Sequence, residues 1–374
     1  MTPRLIDLYS GIGGLSLGGV RAGFTLALSV DNDPILSQIH RLNFPKYVHL
    51  NADVSALTGA ELLSKANLSE GDLFGIVGGS PCQGFSRIGK RDQADNRNKL
   101  FVHFFRLVAE SKAAFFLAEN VQGILDSQNT ELVSAALGLV QSSYHVLKPF
   151  VINASDFGAS TNRKRVFFFG YLPERCDEIL LDDFERTKWK DALPVEEALR
   201  SLPRKLRDHW STDEKAWRKL RSKRSGPFWS KIYAEIPDGV GDPITLQKFL
   251  ERNEVSGCIA TQHTSAVRTR FAALAEGETD AISRMSRLKR NGLCPTLRAG
   301  TSADKGSFQS VRPIHFSEAR VISPREAARL QGFPDWFRFH STKWHSFRGI
   351  GNSVSPFVSE ALFRVIISKL QSGS

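Results

Sequence analysis

No apolar run in this 374-residue chain approaches the roughly 20 residues that a membrane-spanning helix needs. Cysteine is scarce. The four thiols, Cys82, Cys176, Cys258 and Cys294, lie far apart, with no CxxC pair and no histidine at metal-ligand spacing. That pattern excludes a disulfide framework and a zinc site, fits a reducing compartment, and leaves each thiol to be explained singly. The opening residues MTPRLIDLYSG enter a strand-like run with no basic-then-apolar leader, so the protein is expected to remain soluble in the cytoplasm where it is made. Internal repeats, low-complexity tracts and heptad runs are also missing, which excludes solenoids and coiled coils.

What is abundant is positive charge. Fifty Lys and Arg against 39 Asp and Glu give a formal net charge of +11. An excess of that size points toward a polyanion, because Lys and Arg that neutralise phosphates release condensed counterions. The length suits two lobes with cores of their own.

Residues 1–171 alternate between strand-like and helix-like stretches. LIDLY (5–9), LALSV (26–30), FGIVG (74–78), AAFFLA (113–118), VLKPFVI (146–152) and RVFFFGY (165–171) are β-rich apolar runs, and NKLFVHFFRLVAES (98–111) has helical periodicity. The expected fold class is α/β, a mostly parallel Rossmann-like sheet with helices on both faces, which binds ligands beyond the carboxyl ends of its strands. From about residue 175 the pattern dissolves into an irregular, basic region where a second, smaller domain is expected. Its most basic parts are KLRDHW (205–210) and KAWRKLRSKR (215–224), and the tryptophan-bearing stretch 205–224 that holds both is either a solvated helix face or an element that reads the polyanion. Helices are expected again at SPREAARLQGF (323–333), where Ser323 and Pro324 suit the cap and first turn, and at SPFVSEALFRVIISKL (355–370), whose apolar stripe should pack back on the first domain.

Chemistry-bearing residues gather at the predicted strand ends. DLYSGIGG (7–14) is a strand, a glycine turn and a helix start, which either serves packing or lets the backbone approach an anionic, nucleotide-like ligand. Asp31 in SVDND stands where such folds grip a ribose, and Asp53 in NADV ends the next strand. The glycines read GxGG rather than GxGxxG and no Walker lysine follows, so neither NAD nor ATP is favoured. GGSPCQGFS (78–86) places Cys82 in a Gly- and Pro-rich turn. A lone cysteine is most often a small buried apolar residue, but a turn of this kind offers its side chains to a cleft. The loop after it, RIGKRDQADNRNK (87–99), is basic and polar. Glu119 in ENV follows an apolar strand and is either a helix cap or an acid of raised pKa. Arg163 and Arg165 in NRKRVFFFG (162–170) alternate onto one face of their strand, as solvated ends or as a cationic wall.

These segments, in order, together with DNRNKLF (95–101), RVISPREAARLQGFPDWF (320–337) and GIGNSVSP (349–356), resemble the DNA (cytosine-5) methyltransferases. The resemblance runs from near one end of the chain to near the other and lapses only between about 175 and 290. It implies that Tyr9, Gly11, Gly14, Asp31, Asp53, Pro81, Leu100, Asn352 and Ser353 surround S-adenosylmethionine, with Asp31 on the ribose hydroxyls and Asp53 on the adenine amine. S-adenosylhomocysteine is then the product, and no metal is expected. It further implies Cys82 as nucleophile, Glu119 facing N3 and the amino group of the base, and Arg163 with Arg165 beside it. Ser86 and Arg97 would touch phosphates, and PTLRAG (295–300) would belong to the reading region, with Thr296 as a DNA contact. Residues 1–175 would form the catalytic, cofactor-binding domain, 176–344 the target-recognition domain, and 345–374 a segment returning to the first. Three departures stand out: Tyr9 where the family often has Phe, Ser160-Thr161 for a frequent Pro-Gln, and Gly349 where Gln is usual.

The expected function is therefore base flipping and methylation of carbon 5 of cytosine in double-stranded DNA, by a monomer of prokaryotic, nucleoid-associated type. The enzyme would act alone or beside a restriction endonuclease for the same site. The resemblance also leaves a tRNA cytosine methyltransferase and a catalytically silent DNA-binding regulator as alternatives, and a nicotinamide oxidoreductase remains beyond them.

Overall fold

The structure is a computed structural model that describes residues 2–81, 99–189, 191–299 and 312–371. Its first part runs β1 (Arg4–Leu8), α1 (Gly14–Ala22), β2 (Thr25–Asp31), α2 (Pro34–Asn43), β3 (His49–Asn51), α3 (Gly59–Lys65), β4 (Leu73–Gly79), α4 (Lys99–Ser111), β5 (Phe115–Asn120), α5 (Thr130–Gly138), β6 (His145–Val146), β7 (Phe150–Asn153), β8 (Thr161–Asn162) and β9 (Lys164–Tyr171). All six expected strands are present, the fifth broken into β6 and β7 around Pro149. The short β3 is the strand that Asp53 was expected to end, but it stops at Asn51, and Asp53 lies beyond it as the cap of a 3-10 turn.

The sheet has the order β3-β2-β1-β4-β5-β9-β6, with β7 sharing the outer edge of β9. β1 to β5 are parallel, whereas β9 runs antiparallel to β5, and β6 and β7 antiparallel to β9. The continuous apolar strand sequences follow from burial on both faces. Phe116, Ala118, Val166 and Phe168 pack into a core with Phe101, Phe105 and Val108 of α4 on one side. Their neighbours Phe115, Leu117, Phe167 and Phe169 enter a second core on the other, against a C-terminal helix.

The remainder is built of short pieces: α6 (Leu181–Glu185), α7 (Val195–Leu199), β10 (Arg218–Lys219), α8 (Pro227–Tyr233), α9 (Pro243–Arg252), β11 (Glu254–Val255), α10 (Ser265–Ala273), β12 (Cys294–Pro295), α11 (Pro324–Leu330), α12 (Lys343–Asn352) and α13 (Pro356–Lys369). The basic stretch 215–224 is not a helix. It begins with a 3-10 turn, Glu214–Ala216, and then pairs as β10 with β11. Its one aromatic ring, Trp217, and that of Trp210 before it carry cations instead of packing inward: Arg218 lies 3.3 Å over Trp210, and Lys248 and Arg338 lie 4.0 and 5.0 Å from Trp217.

A third core joins the two parts. Ile12, Leu36, Ile39 and Phe44 cluster there with Ile232, Phe249, Leu330 and Trp336. The arginines of SPREAARL are buried in it for structural reasons. Arg325 donates to the carbonyls of Ser256, Pro334 and Phe337, and Arg329 pairs with Asp335, with both side chains withdrawn from solvent. Ser323 caps α11 through a reciprocal bond with Glu326.

α13 returns to the sheet beside α1. The Ser359 hydroxyl donates to the Gly14 carbonyl at 2.7 Å, and a Cβ on Gly18 would overlap Ser359 and the Glu360 amide. Gly18→Ala is therefore expected to lower the unfolding free energy by about 2 kcal/mol through overpacking. The measurement is a urea transition, which should move to lower midpoint at constant slope; an unmoved midpoint would contradict this helix contact.

Candidate active site at the carboxyl edge of the sheet

The turn after β1 is shaped by three left-handed residues, Tyr9 (φ 55°), Gly11 (φ 54°) and Gly13 (φ 95°). Glycine takes such angles freely, but a tyrosine there costs about 1 kcal/mol or more and needs surroundings that hold it. Those surroundings are present. The Tyr9 hydroxyl donates to the Leu100 carbonyl at 2.8 Å, at the start of α4. Below the turn, the buried Asp7 accepts from the Ser16 amide and hydroxyl, and that hydroxyl lies 2.9 Å from His40 Nε2. Burial raises the Asp7 carboxyl to about 7.

Asp31, at the end of β2, fastens two turns together. One carboxylate oxygen accepts from the Gly11 amide and the other from the Asp33 amide, each at 2.8 Å. Burial pushes its pKa up, while those two amides hold it back. Asp53 is exposed. Its carboxyl is held below the usual range by the Ser55 amide and hydroxyl, and its charge is felt at Tyr9. Asp31, Asp53, Tyr9, Gly11 and Leu100 thus converge above β1, β2 and β3.

Asn352 and Ser353 arrive from the far end of the sequence. A Cβ on Gly14 would overlap Ser353 and Val354, so the glycine is what lets this segment settle on the turn. Gln331 holds it from behind, donating to the Ser353 carbonyl at 3.0 Å. The unusual Gly349 faces Ile12, whose methyl group would stand 2.6 Å from an added Cβ.

The second cluster forms where β5 meets β9. Glu119 lies opposite Phe167 in the antiparallel ladder, which puts Arg165 diagonally across on the same face, within reach of a long side chain. Arg165 Nε is 2.8 Å from a Glu119 carboxylate oxygen. Arg163 is almost fully buried and donates to the Leu297 carbonyl at 3.3 Å. Burial raises the Glu119 pKa, outweighing the attraction of Arg165 and Arg163. The other carboxylate oxygen faces Gly79 on β4, where a Cβ would come within 2.8 Å of it. Asn120 donates to Ser80 at 3.2 Å, tying the end of β5 to Ser80 and Pro81. Cys82, Ser86 and Arg97 lie outside the described residues.

The segment containing Thr296 is joined to this cluster. β12 pairs with β8, Cys294 beside Thr161 and Pro295 beside Asn162. The Thr161 hydroxyl donates to the Cys294 carbonyl at 3.1 Å, and the Thr296 hydroxyl to the Asn162 carbonyl at 2.8 Å. The departure at Ser160-Thr161 therefore serves this join. Arg163, Arg165, Val354 and Ser355 also line one small depression, which brings the arginines beside the segment that follows Ser353. Asp33, Gly79 and Arg348 were not anticipated from sequence; the Asp33 of SVDND was the one within sight.

The fold is that of the α/β methyltransferases. A crystal structure of a prophage-encoded candidate DNA modification methyltransferase (E. coli) matches with a TM-score of 0.87 and 43% identity, over 98% of this chain and 99% of that one. The S. pombe Dnmt2 methyltransferase, 18% identical, shares the fold with a TM-score of 0.65 over 98% of each chain. The family model for C-5 cytosine-specific DNA methylase matches residues 3–368, and the chain belongs to that family. It is 39% identical to the Type II methyltransferase M.XorII of Xanthomonas oryzae pv. oryzae, over 99% of this chain and 85% of the relative. It is 29% identical to M.DdeI of Desulfomicrobium norvegicum, over 96% and 87%. The protein is a DNA (cytosine-5) methyltransferase. S-adenosylmethionine is the methyl donor in this family. Among the described residues no His, Cys, Asp and Glu group could hold a metal, and no helix is long and apolar enough to cross a membrane.

The approach of Gly79 to Glu119 gives a test away from the titrating atoms. Gly79→Ala should displace the Glu119 carboxylate and lower kcat about a hundredfold, since misplacement by about 1 Å can cost that much. Single-turnover methyl transfer measures it; an unchanged rate would mean that the carboxylate has room to spare.

Proposed function

We propose that the enzyme methylates carbon 5 of a flipped cytosine in a specific duplex sequence through Cys82, Glu119, Arg163 and Arg165. The observation that carries this reading is the buried carboxyl of Glu119, 2.8 Å from Arg165, at the sheet edge from which the chain continues through Pro81 to Cys82. Carbon 5 of cytosine is a weak nucleophile. A Cys82 thiolate adding to carbon 6 makes the ring an enamine, whose carbon 5 can accept a methyl group. Glu119 donates a proton or hydrogen bond to N3 as charge builds on the ring, and the two arginines stabilise that charge and favour the thiolate. Loss of the carbon-5 proton then expels the cysteine.

The residues at the other cluster suit S-adenosylmethionine, which supplies an electrophilic methyl group when bound. Gly11 leaves open space among the described residues, since of these a Cβ there would meet only the Tyr9 carbonyl, 3.9 Å away. Asp31 offers a carboxylate to ribose hydroxyls, Asp53 an exposed one to the adenine amine, and Tyr9 a partly buried ring for stacking. Gly14, Pro81, Leu100, Asn352 and Ser353 complete the surround.

Residues 1–175 carry catalysis, 176–344 read the DNA and 345–374 close the cofactor site. Ser86 and Arg97 contact phosphates, and Thr296 lies at the DNA. Flipping the base costs a few kcal/mol, which phosphate contacts from the basic region offset. The enzyme works as a cytoplasmic monomer, beside an endonuclease of the same site or alone, and bisulfite sequencing of DNA from expressing cells would read that site.

A duplex carrying 5-fluorocytosine should trap the enzyme covalently, because the adduct cannot lose the carbon-5 substituent. Cys82→Ser should abolish the trap, and equal trapping by that variant would refute the mechanism. With duplex DNA and tRNA assayed side by side, activity confined to tRNA would overturn the choice of substrate.

The raised pKa of Glu119 fixes a sign for the pH profile. Its protonated form is the donor, so kcat should fall as pH rises through that pKa on the alkaline side. Glu119→Gln keeps a donor that cannot titrate. The variant should be slower and should lack that alkaline limb; a limb that persists would assign it to another group.

A further inference from the structure

Arg348 stands on α12, one turn before Asn352, so the two share a face of the helix. Its guanidinium meets Asp33 in a two-pronged ion pair, with Nη1 2.7 Å from Oδ2 and Nη2 2.9 Å from Oδ1. Asp33 caps α2 with Oδ1 alone, accepting from the Ile35 and Leu36 amides at 3.0 Å, so Oδ2 is left for the arginine. The Asp33 amide in turn donates to Asp31. Trp344, four residues before Arg348, lies 5.0 Å from the guanidinium and backs it. Gly349 next to it permits the contact with Ile12 of the glycine turn.

We infer that Arg348 is a positioning residue for the nucleoside end of the cofactor, acting through Asp33 on the Asp31 carboxylate and on the seating of Asn352. This rests on the reading of Asp31 as the group that holds the ribose. A planar guanidinium suits the task because it engages both carboxylate oxygens at once, which an ammonium cannot do with the same geometry. The ion pair connects the turn between β2 and α2 to the second half of α12, 315 residues away in sequence.

Electrostatics gives the pair a second effect. Among the described residues, Asp31 feels Asp7 from the neighbouring β1, Asp33 on its own turn, and Arg348 from α12, while His345 on α12 faces Asp33. Burial and the Asp33 charge favour the protonated form of Asp31; the Asp33 and Gly11 amides oppose them, and Arg348 adds the one positive charge to that side. Ribose hydroxyls need the ionised carboxylate as acceptor. Without Arg348, Asp31 should take up a proton at higher pH, and cofactor binding should weaken as pH falls.

The test is calorimetric binding of S-adenosylmethionine and S-adenosylhomocysteine to the full chain between about pH 6 and about pH 9. Relative to the wild type, Arg348→Ala should bind more weakly at the acid end and recover toward the alkaline end. Its kcat at saturating cofactor should stay within about twofold. Arg348→Lys keeps the charge, is less exposed to misfolding, and should regain much of the acid-end affinity. Wild-type binding by Arg348→Ala at every pH would overturn the inference, and so would an equal loss at every pH, which marks a structural clip alone. Asp31→Ala is the separate control. Undiminished binding by that variant would sink the ribose reading itself, whatever Arg348 does.

Discussion

The antiparallel seating of β9 against β5 is the constraint on which the corner of Glu119, Arg163 and Arg165 depends. Had β9 run parallel to its neighbours, Arg163 and Arg165 would leave the sheet at the edge opposite Glu119. Because it is reversed, the two arginines enter at the very edge where Glu119 leaves, and Arg165 falls diagonally across from it on the same face. The price of bringing a carboxyl and two guanidiniums out of water is met by mutual attraction and by the Leu297 carbonyl. Even so, burial prevails at Glu119, which leaves a carboxyl able to donate close to two fixed positive charges. That combination is what an acid facing a base with growing negative charge requires.

The side proposed for the cofactor follows a different logic, in which backbone contact counts for more than charge. Gly14 lies against Ser353, Gly349 against Ile12, and Gly351 against the backbone of Arg298 and Ala299. Each glycine removes one side chain from a place where two segments must touch. The result is a stack in which the β1 turn, the end of α12 and the segment after β12 are in direct register. Asp31 and the Arg348–Asp33 pair add directional bonds to a joint whose closeness is set by shape.

How much of this was legible in the sequence varies with the kind of signal. The strands of the doubly covered sheet announced themselves as unbroken apolar runs, and α4 and α13 as periodic stripes, because burial writes directly into composition. Asp31 and Glu119 were legible as polar residues closing apolar strands. The reversal of β9 was not, since a strand buried on both faces reads the same in either direction. The middle region was opaque for another reason. Its elements are mostly under ten residues long, and its core is shared with α2 and α11. KAWRKLRSKR shows the limit most plainly: its charge density suited a helix face, whereas its one tryptophan is occupied by cations and Arg218–Lys219 is paired as β10. Pairs such as Arg348 with Asp33, 315 residues apart, leave no local trace at all.

The two-residue ladder between β8 and β12 is small, but it joins the strand end that carries Arg163 to the segment that carries Thr296. In evolutionary terms it acts as a seam. If the segment beyond Pro295 takes part in reading DNA, then a lineage that changes its target sequence is free to replace residues further out, but any incoming segment must bring a partner for Thr161 and Asn162. New specificities would then be acquired by exchange up to that seam and no further, with the chemistry on its inner side inherited unchanged.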